Sequence, residues 1–164
     1  QSDVLLSSFP PFFSQIINFE NKQIPIQIWD TAGQEKYRAI GPIYYRKSVA
    51  AVAVFDLTRR ETFENLKTWI NDYRNYADDG FVVVVGNKQD LDDKIVFDLD
   101  ETMQWAYSMN AECVWSSAKT GIGIDVIFNL LGSHLSKVIT ADEKTENVVI
   151  PQEQCNPPQS ESCC

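Results

Sequence analysis

Three short polar stretches carry the residue types that could do chemistry in this chain. The first lies in Gln27 to Arg46, which reads Q-I-W-D-T-A-G-Q-E-K-Y-R-A-I-G-P-I-Y-Y-R. An apolar run ends on the carboxylate of Asp30, and Gly33 and Gln34 follow. That order is how a strand hands over to a loop touching a metal and a phosphate, because a glycine admits close backbone approach where a side chain would crowd it. The second is N-K-Q-D at Asn87 to Asp90, and the third is S-A-K at Ser117 to Lys119. Any one of them alone reads as a solvated loop. Three at the matching ends of successive strands point to one ligand site.

The elements that must position these loops follow from periodicity. Phe12 to Phe19 and Gln23 to Trp29, joined by a polar turn, read as an antiparallel hairpin, with Pro25 pointing to an edge or a local irregularity in the second run. Val49 to Leu57 is a continuous apolar run of the kind buried on both faces of a parallel sheet. Thr58 to Glu61 has the spacing of a capping box. Phe63, Leu66, Trp69, Ile70 and Tyr73 recur at helical spacing behind it, which predicts one helix over about 60–76.

Phe81 to Val85 is the next strand, closed by Gly86 and N-K-Q-D. Asp98 with Glu101 repeats the capping pattern, and Leu99, Met103 and Ala106 mark the helix after it. Ala111 to Trp115 is a third short strand. Ile124, Ile127, Phe128, Leu131 and Leu135 stripe a last helix. Alternation of strand and helix means parallel βαβ units, with ligands held beyond the carboxyl ends of the strands. From about residue 139 the acidic, proline-bearing remainder predicts a disordered tail, so the chain divides into a domain over 1–138 and a tail over 139–164.

Composition narrows the function. A chain of 164 residues is one ordinary domain, able to bury a core without disulfides. Fourteen Lys and Arg against 23 Asp and Glu give a net charge of −9, which disfavours nucleic acid. The single histidine, His134, reads as an ordinary surface or part-buried side chain. The four cysteines do not punctuate a scaffold, which fits a reducing compartment and a cytosolic domain. No run reaches the roughly 18 apolar residues of a membrane span, and no signal peptide is evident. The first residue is Gln rather than Met, so the expectation is that the true start is missing.

Taken together, W-D-T-A-G-Q-E, N-K-Q-D, S-A-K and Y-Y-R over roughly residues 12 to 138 resemble a small GTPase of the Ras superfamily, and its Rab branch in particular. G-P-I-Y-Y-R is similar to the endocytic Rabs. The resemblance implies an α/β fold of the P-loop NTPase-like small G domain, a three-layer mostly parallel sheet. It implies GTP/GDP and Mg²⁺ as cofactors, with slow GTP hydrolysis driving a switch in vesicle, notably endosomal, traffic. Asp30 would hold Mg²⁺ through water, Gly33 would offer its N–H to the γ-phosphate, and Gln34 would orient the attacking water.

Asn87 would pair with the guanine edge and Lys88 would lie along base and ribose. Asp90 would accept both N–H donors on one edge of guanine, selecting GTP over ATP. Ser117, Ala118 and Lys119 would close the pocket. Phe12, Trp29 and Tyr44 would form the effector face. Cys163 and Cys164 would carry two prenyl groups, enough for stable anchoring to the cytoplasmic face of intracellular membranes. The tail is not polybasic, so membrane choice would rest on protein partners. Those implied partners are effectors, an exchange factor, a GTPase-activating protein, a prenylation escort and a GDP-dissociation inhibitor, acting on a monomer.

The sequence departs from the family most plainly in its N-terminal part. No glycine precedes Gly33, so G-x-x-x-x-G-K-[S/T], whose amides cradle the phosphates, is absent. The sheet would then lack its first central strand and first helix, leaving two unpaired strand edges. The metal-binding residue of the preceding switch would fall at Ser7. Three readings stay open: a Rab-type GTPase truncated at its N-terminus, a non-catalytic Rab-like module that binds partners without nucleotide, and a GTPase of another Ras branch. Y-Y-R together with Cys163-Cys164 opposes the third.

Overall fold

The computed structural model describes residues 12–31, 45–77 and 80–145. Strands β1 (Phe12–Phe19) and β2 (Lys22–Trp29) pair antiparallel, with Phe12 opposite Trp29 and Ile17 opposite Ile24. The connection is the two-residue turn Glu20-Asn21, with Glu20 in the left-handed region at φ 51. Alternation along the hairpin buries Ile17 and Ile24 and turns Phe12 and Ile16 to the exposed face, while Phe13, on the buried face but nearer the strand start, is also exposed. Among the described residues β2 pairs with β1 alone, so Pro25 interrupts no second ladder.

A separate parallel sheet has the order β3 (Ala50–Asp56), β4 (Phe81–Asn87) and β5 (Glu112–Trp115). Val82 to Val85 of β4 are all buried, as a central parallel strand requires. On one face, Phe55, Leu57, Val82 and Val84 pack with helices α1 (Arg60–Glu64), α2 (Leu66–Arg74) and α3 (Leu99–Ser108) through Phe63, Leu66, Ile70, Tyr73 and Ala106. On the other, Val83, Val85 and Val114 pack with Ile127, Leu131 and Leu135 of α4 (Ile124–Thr145) and with Ile17 and Ile24 of the hairpin. The result is three layers, with the polar loops after β4 and β5 at one end of the sheet.

Several local expectations are corrected. β3 is not buried on both faces: Val52 and Val54 are 42% and 55% exposed, because β3 is the edge of its sheet and the α4 layer covers β4 and β5 instead. The helix expected over 60–76 is two helices meeting at Asn65, whose side-chain amide bonds back to the Glu61 carbonyl at 3.1 Å. The capping box at Thr58 does not form. Thr58 donates its hydroxyl to Asp56 Oδ1 at 2.7 Å and Glu61 pairs with Arg59, so the helix starts after an uncapped Arg59.

Asp98 does cap α3, accepting from the Asp100 N–H at 2.8 Å. Glu101 completes the box through the Asp98 backbone N–H and also pairs with Arg60 at 3.1 Å. The buried face of α3 is also rotated from the expected one. Thr102 and Ala106 are buried, whereas Leu99 and Met103 are 46% and 48% exposed. Thr102 can sit in the core because its hydroxyl donates to the Leu99 carbonyl and accepts from Trp115 Nε1, both at 2.9 Å.

The last helix runs to Thr145, past the boundary drawn at 138. His134 is part-buried, stacked on Phe81 with ring centroids 4.4 Å apart, and burial pushes its pKa down. No helix of the described residues is long and apolar enough to cross a membrane.

Candidate functional site

Asn87 is the last residue of β4 and hands the chain to Lys88, whose backbone takes the left-handed region at φ 71. The turn lets one side chain serve two loops: Asn87 Oδ1 accepts from the Lys88 N–H at 2.8 Å and from the Ala118 N–H at 3.0 Å. Two backbone bonds reinforce the tie, Gln89 N–H to the Ser116 carbonyl at 2.9 Å and Ser116 N–H to the Gly86 carbonyl at 2.7 Å. Gly86 is required by packing, since a Cβ there would lie 2.7 Å from Leu57 Cδ2.

The loop after β5 is folded by its own bonds. Ser117 N–H reaches the Ile122 carbonyl at 2.9 Å, and Gly121 N–H reaches the Ser117 carbonyl at 2.8 Å. Gly123, at φ 76, passes so close to β5 that a Cβ would sit 2.4 Å from the Trp115 carbonyl oxygen. This closure buries Ser117 and aims its hydroxyl at Asp90 Oδ1, 2.6 Å away. Lys119 Nζ lies 3.7 Å from the other oxygen, Oδ2. The Ser117 hydroxyl holds the Asp90 carboxyl below its ordinary value against the opposing effect of burial, with help from Lys119. Asp90 is therefore an ionised acceptor at neutral pH.

Of the residues expected to form a site, the structure brings together Asn87, Lys88, Asp90, Ser117, Ala118 and Lys119. Asp30 follows β2 and is exposed. Phe12 and Trp29 face each other across the hairpin with ring centroids 5.0 Å apart, and Phe12 is half-exposed. Ser7, Gly33, Gln34, Tyr44, Cys163 and Cys164 lie outside the described residues. One member was missed by sequence reasoning. Asp56, at the end of β3, takes Lys88 Nζ on its Oδ2 at 2.6 Å, and no motif marks it.

The donor set suits a guanine base. A planar ring between the two loops would meet the fixed carboxylate of Asp90, the amide nitrogen of Asn87 left over after its oxygen is engaged, and exposed loop backbone at Ala118. Among the described residues no group of three or more His, Cys, Asp or Glu could hold a metal ion.

A Ras-family sequence model matches residues 9–137, most of the described structure. The chain belongs to the Ras family. Its relatives are Rab-type small GTPases: it is 42% identical to the Ras-related protein Rab-2B of Dictyostelium discoideum over 118 residues, 71% of this chain and 58% of that protein. It is 40% identical to mouse (Mus musculus) Rab-22A over 118 residues, 71% of this chain and 61% of the relative. Bovine (Bos taurus) Rab-21 is 34% identical over 136 residues, 82% of this chain and 61% of the relative. The chain thus spans about three-fifths of the length of these Rabs. Ras-family GTPases bind GTP and GDP, generally with Mg²⁺.

Proposed function

We propose that this chain provides the guanine-recognising half of a Rab-type GTP/GDP switch that recruits effectors in vesicle traffic at endosomal membranes. The observation that carries the proposal is the double tie between the two loops, Asn87 to Ala118 and Asp90 to Ser117. Together these bonds would hold the ionised carboxylate of Asp90 and the amide nitrogen of Asn87 toward one ligand. Guanine presents two N–H donors on one edge to Asp90. Adenine offers no such pair, so its binding would leave a desolvated carboxylate without partners.

Asn87 contributes its amide nitrogen as donor. Lys88 would supply a hydrocarbon stem against the ring, and Lys119, 3.7 Å from Asp90, would close the site. Gly33 and Gln34 keep their proposed roles at the γ-phosphate and the hydrolytic water. Phe12, Trp29 and Tyr44 keep theirs as the effector face, and Cys163 and Cys164 as prenylation sites. The phosphate-cradling motif is not in this sequence, so affinity should be at the nucleoside level, and no Mg²⁺-dependent step is assigned to these residues.

The test is two-dimensional NMR of the chain titrated with guanosine and, separately, adenosine. Guanosine should shift the amide signals of Lys88, Asp90, Ala118 and Lys119 saturably, and adenosine should not. Equal shifts with both nucleosides would refute guanine selection. A second reading, a partner-binding module without nucleotide function, is favoured by the exposed Phe12 beside Trp29. It predicts no saturable shift with either nucleoside.

A further inference from the structure

The ammonium of Lys88 does not extend freely over the pocket. Its Nζ lies 2.6 Å from Asp56 Oδ2, and the Asp56 side chain is only 12% exposed while that of Lys88 is 49% exposed. Asp56 is itself immobilised: Oδ1 accepts from the Thr58 N–H at 2.9 Å and from the Thr58 hydroxyl at 2.7 Å. Its backbone N–H donates to the Thr62 hydroxyl at 3.0 Å. The strand register places Asp56 directly beside Asn87, so the anchor for the lysine comes from the neighbouring strand rather than from the loop it serves.

We infer that Asp56 is a positioning residue for the base site, pinning the Lys88 ammonium so that the lysine acts as a fixed hydrocarbon floor under the ring and not as a cation for phosphate. This inference rests on the guanine reading of the pocket and assigns a role within it. A free lysine side chain would lose its rotamer freedom on binding. One already tied down at the far end presents its stem without that loss. The engaged ammonium also leaves selection of the base to Asp90. Asp56 itself touches no ligand.

A double-mutant cycle on the full chain separates positioning from mere structural support. The probe is guanosine, with adenosine as comparison, and fold is monitored by urea unfolding. Lys88→Ala, which removes the floor, should weaken guanosine binding about tenfold. Lys88→Met, which keeps most of the stem without the charge, should weaken it only about two- to threefold, and Asp56→Asn by a similar factor. In the Lys88→Met background, Asp56→Asn should have no further effect on binding, because there is no ammonium left to pin.

Binding losses that multiply in the double variant would overturn the inference, as would Lys88→Met behaving like Lys88→Ala. A second readout is independent of ligand. The Asp56 carboxyl, followed by NMR, should titrate at higher pH in Lys88→Met than in the parent, and an unchanged titration would show that the ion pair does not form. Guanosine binding no better than adenosine would count against the guanine reading. The Asp56 titration would still decide whether the lysine is pinned.

Discussion

Replacing Asn87 should separate the architecture of the site from its chemistry. In Asn87→Ala the Lys88 and Ala118 N–H groups both lose their acceptor, bonds of 2.8 and 3.0 Å. Net hydrogen bonds contribute about 0.5–1.5 kcal/mol each, which would give about 1–3 kcal/mol for two. Both amides lie in exposed loop, where water can replace the lost oxygen, so the lower half of that range is expected, about 1–2 kcal/mol.

Asn87→Asp keeps an oxygen for both amides and removes the nitrogen that would face the base. It should unfold within about 0.5 kcal/mol of the parent. It should also lose guanosine binding by about tenfold or more, since a donor becomes an acceptor. Urea unfolding gives the first number, and NMR titration with guanosine the second. Amide exchange at Ala118 should quicken in Asn87→Ala and stay slow in Asn87→Asp. Equal destabilisation by the two substitutions would refute the tie, and unaltered guanosine binding in Asn87→Asp would refute the assignment of its nitrogen.

Three further outcomes follow from the same geometry. Gly123→Ala should cost about 2 kcal/mol or more in urea unfolding, because a Cβ would sit 2.4 Å from the Trp115 carbonyl at a φ of 76 that L residues rarely adopt. Thr102→Val should cost about 1–3 kcal/mol by leaving the Trp115 indole N–H without its acceptor, with a matching change in near-ultraviolet circular dichroism. Asp56 should make stability pH-dependent. Burial raises its pKa, but the bonds from Lys88 and Thr58 outweigh it and bring the value from 3.8 to about 2.

Because the folded value lies below the ordinary one, the Asp56 contribution is complete above about pH 4 and is lost as pH falls through about 2. The difference, 3.8 − 2 ≈ 1.8 units, corresponds to about 2.4 kcal/mol. With the lysine end half-exposed to solvent, about 1 kcal/mol is the expected loss. Acid unfolding of Asp56→Asn should lack that component, and an identical profile to the parent would remove Asp56 from the account.

The parts of this fold that were legible in the sequence are those fixed by local pattern. The valine run of β4, the striped α4 and the hairpin each declare their period, and the three polar loops stand out because they follow strands. What was not legible depends on neighbours. The exposure of Val52 and Val54 is set by which helix layer covers β3 and cannot be read from V-A-V-F. The buried face of α3 was misjudged because Thr102 looks polar in sequence, and only Trp115, thirteen positions on, makes it a core residue.

The Thr58 capping box failed for a similar reason. Its spacing was right, but Asp56 holds the hydroxyl. The two paired loops were legible as a set of residue types, N-K-Q-D and S-A-K. Its organisation was not, since the use of the Asn87 oxygen between loops and the anchoring of Lys88 on another strand are tertiary facts.

The central claim is that Asp90 reads the base, and exchanging its acceptor oxygen for a donor tests it directly. Xanthine carries a carbonyl where guanine carries its exocyclic amine, so the amide of Asp90→Asn can donate where the carboxylate could only accept. In paired NMR titrations, the account predicts that the parent chain prefers guanosine over xanthosine and that Asp90→Asn reverses the order. A parent that does not distinguish the two nucleosides, or an Asp90→Asn variant that keeps the parent's preference, would contradict it.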